Sequence, residues 1–222
     1  MKIANLIIAC SSILFLNSCK KSTSNDRSLQ FQLQTTNRTA VVNAPVSAGS
    51  ITWTTGTASA TLIKVEAKNS NGTEVEYKSQ IAQTINLFLP AAVSLGNIVI
   101  PPGTYSEVEF KISLNQIGNT PALELNGQYT NGSGVITPVK FVVNNLLEIK
   151  GEQNNVTITN TGSTTEITLL NLAALTSGIS QIMLNNATST GGTIIISNTV
   201  NAVLYNIIAA NLVNRQEIEL HD

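Results

Sequence analysis

Charge is scarce in this sequence. Only 11% of its 222 residues are Asp, Glu, Lys or Arg, and the formal net charge is −1. Nucleic-acid binding requires concentrated positive charge, so we expect no nucleic-acid partner. Uncharged residues take the place of charged ones, mainly Asn, Thr, Ser, Gly and Gln. They solvate turns and strand faces by hydrogen bonding. Such a surface suits a secreted β-protein better than a cytosolic enzyme.

Residues that carry chemistry are also scarce. His221 is the only histidine, close to the C-terminus, and Asp26 and Asp222 are the only aspartates. One imidazole at a fraying end gives no support to a Ser-His-Asp triad or a histidine metal site, and the shortage of aspartate disfavours calcium. The motifs of zinc proteases, phosphate-binding loops and dinucleotide-binding folds are absent from the sequence. We therefore expect no enzyme activity, no cofactor and no metal site.

Paired carboxylates are the remaining route to acid–base catalysis. They occur at i, i+2 spacing, which places both members on one face of a strand. The pairs are Glu74/Glu76, Glu107/Glu109 and Glu217/Glu219. The first two occupy the polar positions of apolar alternations, as solvated side chains on an outer strand face do. A carboxylate-dependent glycoside hydrolase is therefore the less favoured alternative.

The sequence has only two cysteines, Cys10 and Cys19. Cys10 lies in a mostly apolar run over residues 3–16, which follows a positive start at residues 1–2. The run is too short for an ordinary transmembrane helix and is typical of a signal-peptide core. Cleavage would discard Cys10, so Cys19 would have no partner for a disulfide.

The segment Leu16-Asn17-Ser18-Cys19 resembles the lipobox of bacterial lipoproteins. An apolar residue stands three positions before the cysteine and a small residue directly before it, while Asn17 matches the relaxed pattern of Bacteroidota-type lipoproteins. The resemblance implies that residues 1–18 are a signal peptide and that Cys19 becomes an acylated, palmitate-type N-terminus. Several acyl chains hold a protein stably at a membrane. An ordinary secretory signal, with Cys19 incidental, is the alternative.

Residues 19–28 are polar and predict a flexible tether between the anchor and the body. Lys20 stands where, by resemblance to enteric lipoproteins, an aspartate would favour retention in the inner membrane. The resemblance therefore implies the outer membrane, with the periplasmic and cell-surface faces both open.

Beyond the tether, apolar and polar residues alternate with a period of two, which predicts strands. Leu29, Phe31 and Leu33 alternate with glutamines in the first of them. Further strands are predicted near residues 51–53, 62–67, 75–77, 85–89, 98–100, 105–114, 123–129, 139–143, 146–149, 156–159, 167–170 and 193–197. Asn71-Gly72 is the best hairpin signal, because both residues accept positive φ. Short strands at this spacing predict a sandwich or a barrel.

The C-terminal part changes to helical spacing. Residues 171–184 show a weak helical pattern with a break at Gly178. A second helix is predicted over about residues 199–213, capped by Asn198 or Thr199. It is too short and polar to span a membrane, so we expect it to pack against a sheet.

Two aromatic residues could serve either a function or the fold. Trp53 is the only tryptophan, but it points the same way as Ile51, which favours core packing over a sugar-stacking platform. Tyr105 follows the turn Pro101-Pro102-Gly103. This order predicts a tyrosine corner, in which the hydroxyl binds nearby backbone where the chain crosses between sheets. Tyr105 is therefore interpreted as a fold determinant rather than as a site.

Two longer segments carry a second resemblance. PPGTYSEVEFKI at residues 101–112 and NTVNAVLYNIIAANL at residues 198–212 look like parts of uncharacterised Bacteroidota lipoprotein domains with an immunoglobulin-like sandwich. The expected fold is mainly β, an immunoglobulin-like or transthyretin-like β-sandwich with short C-terminal helices packed on it. We expect one domain over residues 29–222, with two packed subdomains meeting near residues 115–122 as the alternative.

Together these features predict a non-catalytic, lipid-anchored envelope protein. Its role would be that of a binding or structural module for a glycan or a protein partner. The combination of lipobox and sandwich is also similar to fimbrial shaft proteins, which implies a second possibility, an assembly subunit with residues 29–34 as its displaceable strand.

Overall fold

The structure, a computed structural model, describes residues 27–42, 48–159, 164–214 and 217–221. The predicted signal peptide, Cys19 and the tether up to residue 26 lie outside the described residues. Residues 27–28, which were predicted as the end of the tether, belong to strand β1 instead. The elements are β1 (Arg27–Thr36), β2 (Thr39–Val42), β3 (Gly49–Asn69), β4 (Glu74–Asn86), β5 (Val93–Ile100), β6 (Gly103–Leu114), β7 (Leu123–Thr130), β8 (Ile136–Val143), β9 (Leu147–Ile158), β10 (Thr164–Asn171), a 3₁₀ turn (Ala174–Thr176), α1 (Gln181–Asn185), β11 (Ser189–Thr190), β12 (Thr193–Ile196), α2 (Ala202–Asn214) and β13 (Glu217–His221).

The larger sheet is built around β3, which is 21 residues long. Its first half pairs with β2 on one edge and with β7 on the other, and its second half pairs with β4 and β6. β9 continues the sheet beyond β6, while β8, β12 and β11 continue it beyond β7. β6 and β7 thus follow one another along the same edge of β3, and residues 115–122 connect them.

The length of β3 was not predicted. The sequence suggested separate strands near residues 51–53 and 62–67, whereas the structure has one strand with register shifts between Trp53 and Thr55 and between Ala60 and Leu62. A β-bulge adds one residue and reverses the alternation locally, so a single bulged strand resembles two short strands in sequence.

The smaller sheet has the order β13-β10-β1-β5. β1 lies inside it, parallel to β10 and antiparallel to β5. Leu29, Phe31 and Leu33 are at most 2% exposed, and the Phe31 ring meets the Phe110 ring of the larger sheet edge-on at 6.1 Å. The two sheets therefore face each other across one apolar core. The mainly β sandwich predicted from the alternation is confirmed.

The short C-terminal helices are also confirmed. In the first predicted helical segment, the 3₁₀ turn and α1 are separated at Gly178, whose φ is +86°. The second predicted helix, α2, packs against the sheet by burying Leu204, Ile208 and Leu212. No helix in the described ranges is long and apolar enough to cross a membrane.

The predicted cap of α2 was wrong. The helix begins at Ala202, after Asn201, and not directly after Asn198 or Thr199. The Asn201 side chain instead bridges to the main chain of Thr188 and Ile195. This amide ties α2 to the preceding loop and strand, a contact that local spacing cannot show.

The predicted strand at residues 85–89 was wrong beyond Asn86. β4 is one strand that ends at Asn86, and the Asn86 Oδ1 accepts a hydrogen bond from the Phe88 N–H at 2.9 Å. An asparagine side chain that binds the main chain two residues on makes a turn, so the strand ends there. The Leu87 N–H still donates to the Gly56 carbonyl of β3 at 2.9 Å. The Asn71-Gly72 hairpin, by contrast, is present, with Gly72 at φ +83°.

Candidate functional site

The sandwich has two distinct ends. β1 begins at Arg27, which pairs with Ile100, and Tyr105 near the start of β6 pairs with Asn69 at the end of β3. We call this the Arg27 end. β1 finishes at Thr36, towards the start of β3, and the 3₁₀ turn follows the neighbouring β10 there. We call this opposite side the cleft end.

The cleft end holds a cavity of about 390 Å³ between the β1–β2 turn and the segment after β10. The polar residues that line it are Asn37, Thr39, Asn171, Thr176 and Ser177. The other lining residues are Ala40, Val41, Ala173, Ala174, Gly178 and Ile179. None of these residues carries a charge, so the cleft offers amide, hydroxyl and main-chain groups beside small apolar surfaces.

Local hydrogen bonds hold both sides of the cleft. Asn37 adopts φ +48°, a left-handed conformation that asparagine tolerates, and turns the chain from β1 into β2. The Leu172 N–H donates to the Thr36 carbonyl at 3.0 Å, and the Ala174 N–H donates to Asn171 Oδ1 at 3.2 Å. The start of the 3₁₀ turn is therefore fixed to the end of β1.

Helix α2 supports the cleft from behind. The Asn211 Nδ2 donates to the main-chain oxygens of Leu175 at 2.9 Å and Ser177 at 2.8 Å. One amide thus holds two carbonyl groups of the cleft wall. This explains the polar Asn211 on a helix that otherwise packs by its apolar face.

The nearest charge along the chain is directed elsewhere. Arg38 follows Asn37, but its Nη2 donates to the Phe88 carbonyl at 3.2 Å and its guanidinium lies 4.6 Å from the centre of the Phe88 ring. The exposed side chains of Asn37 and Ser177, in contrast, make no hydrogen bond to another described residue. These polar groups are available to a ligand.

A second, apolar groove of about 290 Å³ lies between α1 and the start of α2. Met183, Ala187 and Val203 line it, and Val203 is 67% exposed. Nothing in the described residues indicates what would cover it.

The outer face of β4, β3, β6 and β9 carries two parallel rows of charge. One row contains Lys78, Lys64, Lys111 and Lys150, and the next contains Glu76, Glu66, Glu109 and Glu152. Like charges stand directly opposite one another across strands, an arrangement that is unfavourable alone. Ion pairs between the rows compensate for it. We call this arrangement the charge ladder.

Glu66 is at the centre of the charge ladder. Lys111 Nζ and Lys64 Nζ each lie 2.5 Å from one of its carboxylate oxygens. Hydrogen bonds from Lys111 and Lys64 lower the pKa of Glu66 to about 2. The predicted solvated pairs Glu74/Glu76 and Glu107/Glu109 lie on this same outer face.

The remaining sequence candidates are located as follows. Trp53 is 1% exposed, which confirms core packing. His221 was expected at a fraying end, but it lies in β13 and pairs with Thr165 of β10. Its Nε2 lies 3.2 Å from Glu219 Oε2. The strand was missed because the short segment Glu217–His221 is an edge strand whose pairing depends on the distant β10.

Glu166 was missed entirely. It is fully buried between Phe31 of β1 and Leu220 of β13, and burial raises its pKa to about 8. Its Oε1 accepts a hydrogen bond from Thr168 at 2.5 Å, while its Oε2 has no partner among the described residues. The sequence predicts a strand at residues 167–170 but not which of its faces is buried, and in β10 the buried residues are Thr164, Glu166, Thr168 and Leu170.

Comparison with known proteins returns no match, either among protein-family models, among curated proteins or among solved structures. The described part of the chain also holds no group of three His, Cys, Asp or Glu side chains placed to bind a metal ion. The chemical capacity of the cleft follows from its own residues, which donate and accept hydrogen bonds without charge.

Proposed function

We propose that the protein is a non-catalytic, lipid-anchored envelope protein that binds a glycan or a protein partner through its cleft end. The observation that carries the proposal is the separation of the two ends. The chain enters the sandwich at Arg27, and the cleft opens at the opposite end. An N-terminal anchor would therefore leave the cleft directed away from the membrane.

Simple lengths support this orientation. β3 has 21 residues, which at about 3.3 Å per residue span roughly 65 Å. The eight residues from Cys19 to Asp26 reach at most about 28 Å when fully extended. The tether would thus hold the Arg27 end near the bilayer, and the body is long enough to present the cleft well above it.

The anchor is tested by mass spectrometry of the mature N-terminus and by membrane fractionation. We expect acyl chains on Cys19, and we expect Cys19→Ala to release the protein from the membrane fraction. Cys10→Ala is the matched control, because that cysteine lies in the segment that cleavage removes, and it should leave anchoring intact. A mature N-terminus without acyl groups, or one that begins elsewhere, would contradict the proposal.

The alternative, an assembly subunit, requires residues 29–34 to leave the fold. These residues lie in β1, held by β10 on one edge and by β5 on the other, with Leu29, Phe31 and Leu33 buried. Their release would break the hydrogen bonds of β1 to both β10 and β5 and would expose the core. The structure of β1 therefore favours the binding module over the assembly subunit. A chain that lacks residues 29–34, yet stays folded and takes up that strand from the full-length protein, would support assembly instead.

A further inference from the structure

We propose that the cleft binds an uncharged polyhydroxylated ligand, a segment of a neutral glycan chain. This inference rests on the proposed function and names the chemistry of the partner. It concerns the space between Asn37 at the β1–β2 turn and Asn171 and Ser177 after β10.

The polar groups of the cleft match sugar hydroxyls. A hydroxyl donates one hydrogen bond and accepts others, and an amide side chain offers both functions. The Asn37 amide and the Ser177 hydroxyl are exposed and make no hydrogen bond to another described residue. Asn171 uses its Oδ1 to accept from the Ala174 N–H, and no hydrogen bond to another described residue occupies its Nδ2. Donors and acceptors are therefore both present on the two sides.

The absence of charge from the lining argues for a neutral ligand. Acidic sugars and phosphates are bound by arginine and lysine, which form the stronger, charge-assisted hydrogen bonds. Arg38, the cation that follows Asn37 in the β1–β2 turn, is engaged by the carbonyl and ring of Phe88. An anion in the cleft would lose hydration without gaining a counter-charge from any described lining residue.

The apolar part of the cleft suits the carbon faces of sugar rings. Ala40 and Ala173 line it, and Val41, which is 71% exposed, lies at its edge. Ligand sites bury ligand carbon against apolar side chains and use a few polar groups for orientation, in clefts of about 300–1,000 Å³. The volume of about 390 Å³ lies within this range.

The cleft is also organised before a ligand arrives. Asn211 of α2 holds the carbonyls of Leu175 and Ser177, and the Leu172 N–H holds the end of β1. Groups that are already ordered lose less conformational entropy on binding. The contacts of the described residues therefore favour recognition without rearrangement of the walls.

The test uses the full mature chain in detergent micelles and titrates it with neutral oligosaccharides of several linkages and with an acidic one, oligogalacturonate. Binding is followed by calorimetry and by the side-chain amide resonances of Asn37 and Asn171. We expect a neutral oligosaccharide to bind, and the two amide signals to shift.

Two substitutions test the polar groups of the cleft. Asn37→Gly keeps a backbone that accepts φ +48° but removes the amide, and Ser177→Ala removes the hydroxyl. Each should weaken binding about fivefold to tenfold, the usual effect of one lost hydrogen bond.

Ser70→Ala is the matched control, because Ser70 is exposed in the β3–β4 hairpin at the Arg27 end, and it should leave affinity unchanged. Circular dichroism checks that every variant is folded. Binding of the acidic probe alone, binding unaffected by Asn37→Gly and Ser177→Ala, or no binding of any neutral probe at millimolar concentration would overturn the inference. Acylation of Cys19 is measured separately, so an anchored protein that binds no neutral glycan refutes the ligand class alone.

Discussion

The Tyr105 hydroxyl donates a hydrogen bond to the carbonyl oxygen of Pro101 at 2.7 Å. The two residues flank the point where the chain leaves β5 in the smaller sheet and enters β6 in the larger one. Burial raises the pKa of Tyr105, so the hydroxyl stays protonated and remains a donor. The bond fixes the angle of the crossing, as the predicted tyrosine corner requires.

Tyr105→Phe should reduce the free energy of unfolding by about 1 kcal/mol, because a partly buried carbonyl loses its donor while the ring still packs. Urea denaturation measures the change. Tyr205→Phe is the matched control, since the Tyr205 ring packs 5.7 Å from the Phe141 ring and its hydroxyl makes no hydrogen bond to another described residue. Equal stability of wild type and Tyr105→Phe would contradict the assigned role.

Glu166 should make the fold less stable as pH rises. Burial raises its pKa from the ordinary 4.5 to about 8, so the folded state holds a proton that the unfolded state releases. The contribution is complete below the ordinary pKa and is lost as pH rises through the folded value. Between about pH 5 and about pH 7 the expected loss is on the order of 3 kcal/mol, since one pKa unit corresponds to about 1.4 kcal/mol.

Glu166→Gln should abolish this pH dependence, because the amide keeps the buried shape and does not ionise. Urea denaturation at several pH values measures the slope. Glu107→Gln, a change on the outer face of the sheet, should leave the wild-type slope in place. A wild-type stability that is flat or rising across this range would refute the assignment of a buried, protonated carboxyl group.

The charge ladder should stabilise the sheet in a salt-dependent way. Glu66→Gln removes the carboxylate that pairs with both Lys64 and Lys111, and leaves the lysine row less compensated. We expect a loss of about 1 kcal/mol at low ionic strength and a smaller loss in concentrated salt, which screens these charges. Urea is the suitable denaturant, because guanidinium is itself a salt.

Acid should weaken the same contribution. The pKa of Glu66 is lowered from 4.5 to about 2, so its contribution is present above the ordinary pKa and is lost as pH falls through the folded value. Glu152→Gln is the control. Glu152 stands opposite Glu109, so this substitution removes only a like charge. If Glu66→Gln and Glu152→Gln behaved alike, the proposed centre of the charge ladder would be wrong.

Gly151 and Ile218 should show strong coupling. A Cβ added at Gly151 would lie 1.8 Å from the Cδ1 of Ile218, because β13 packs closely over β9 at this point. Gly151→Ala should therefore cost about 1–3 kcal/mol by overpacking. In the Gly151→Ala/Ile218→Ala double variant the clash is removed, so its loss should be smaller than the sum of the two single losses. Additive losses in urea denaturation would mean that β13 does not pack there.

Local patterns predicted much of the fold. Alternation located most strands, the Asn71-Gly72 pair located a hairpin, and the Pro-Gly turn before Tyr105 located the crossing between the sheets. These features succeed because they depend on neighbours in the chain. The candidate cleft was not predicted, since Asn37 and Ser177 are far apart in sequence and each alone looks like an ordinary loop residue.

Glu166 shows where such patterns fail. Alternation indicates that two sets of side chains point to opposite faces of a strand, but it does not indicate which face is buried in the core. For β10 the choice of face is made by its pairing with β1 and β13, which buries Glu166 and leaves the apolar Ile167 partly exposed.

The order of residues alone was enough to define a strand-rich chain with little charge and helices near the C-terminus. Those properties depend on composition and on spacing within a few residues. The length of β3, the position of β13, the burial of Glu166 and the placement of Asn37 and Ser177 in one cleft were decided by tertiary structure. Each depends on which distant strands pair and in which register, and that choice is made by the packing of the whole core.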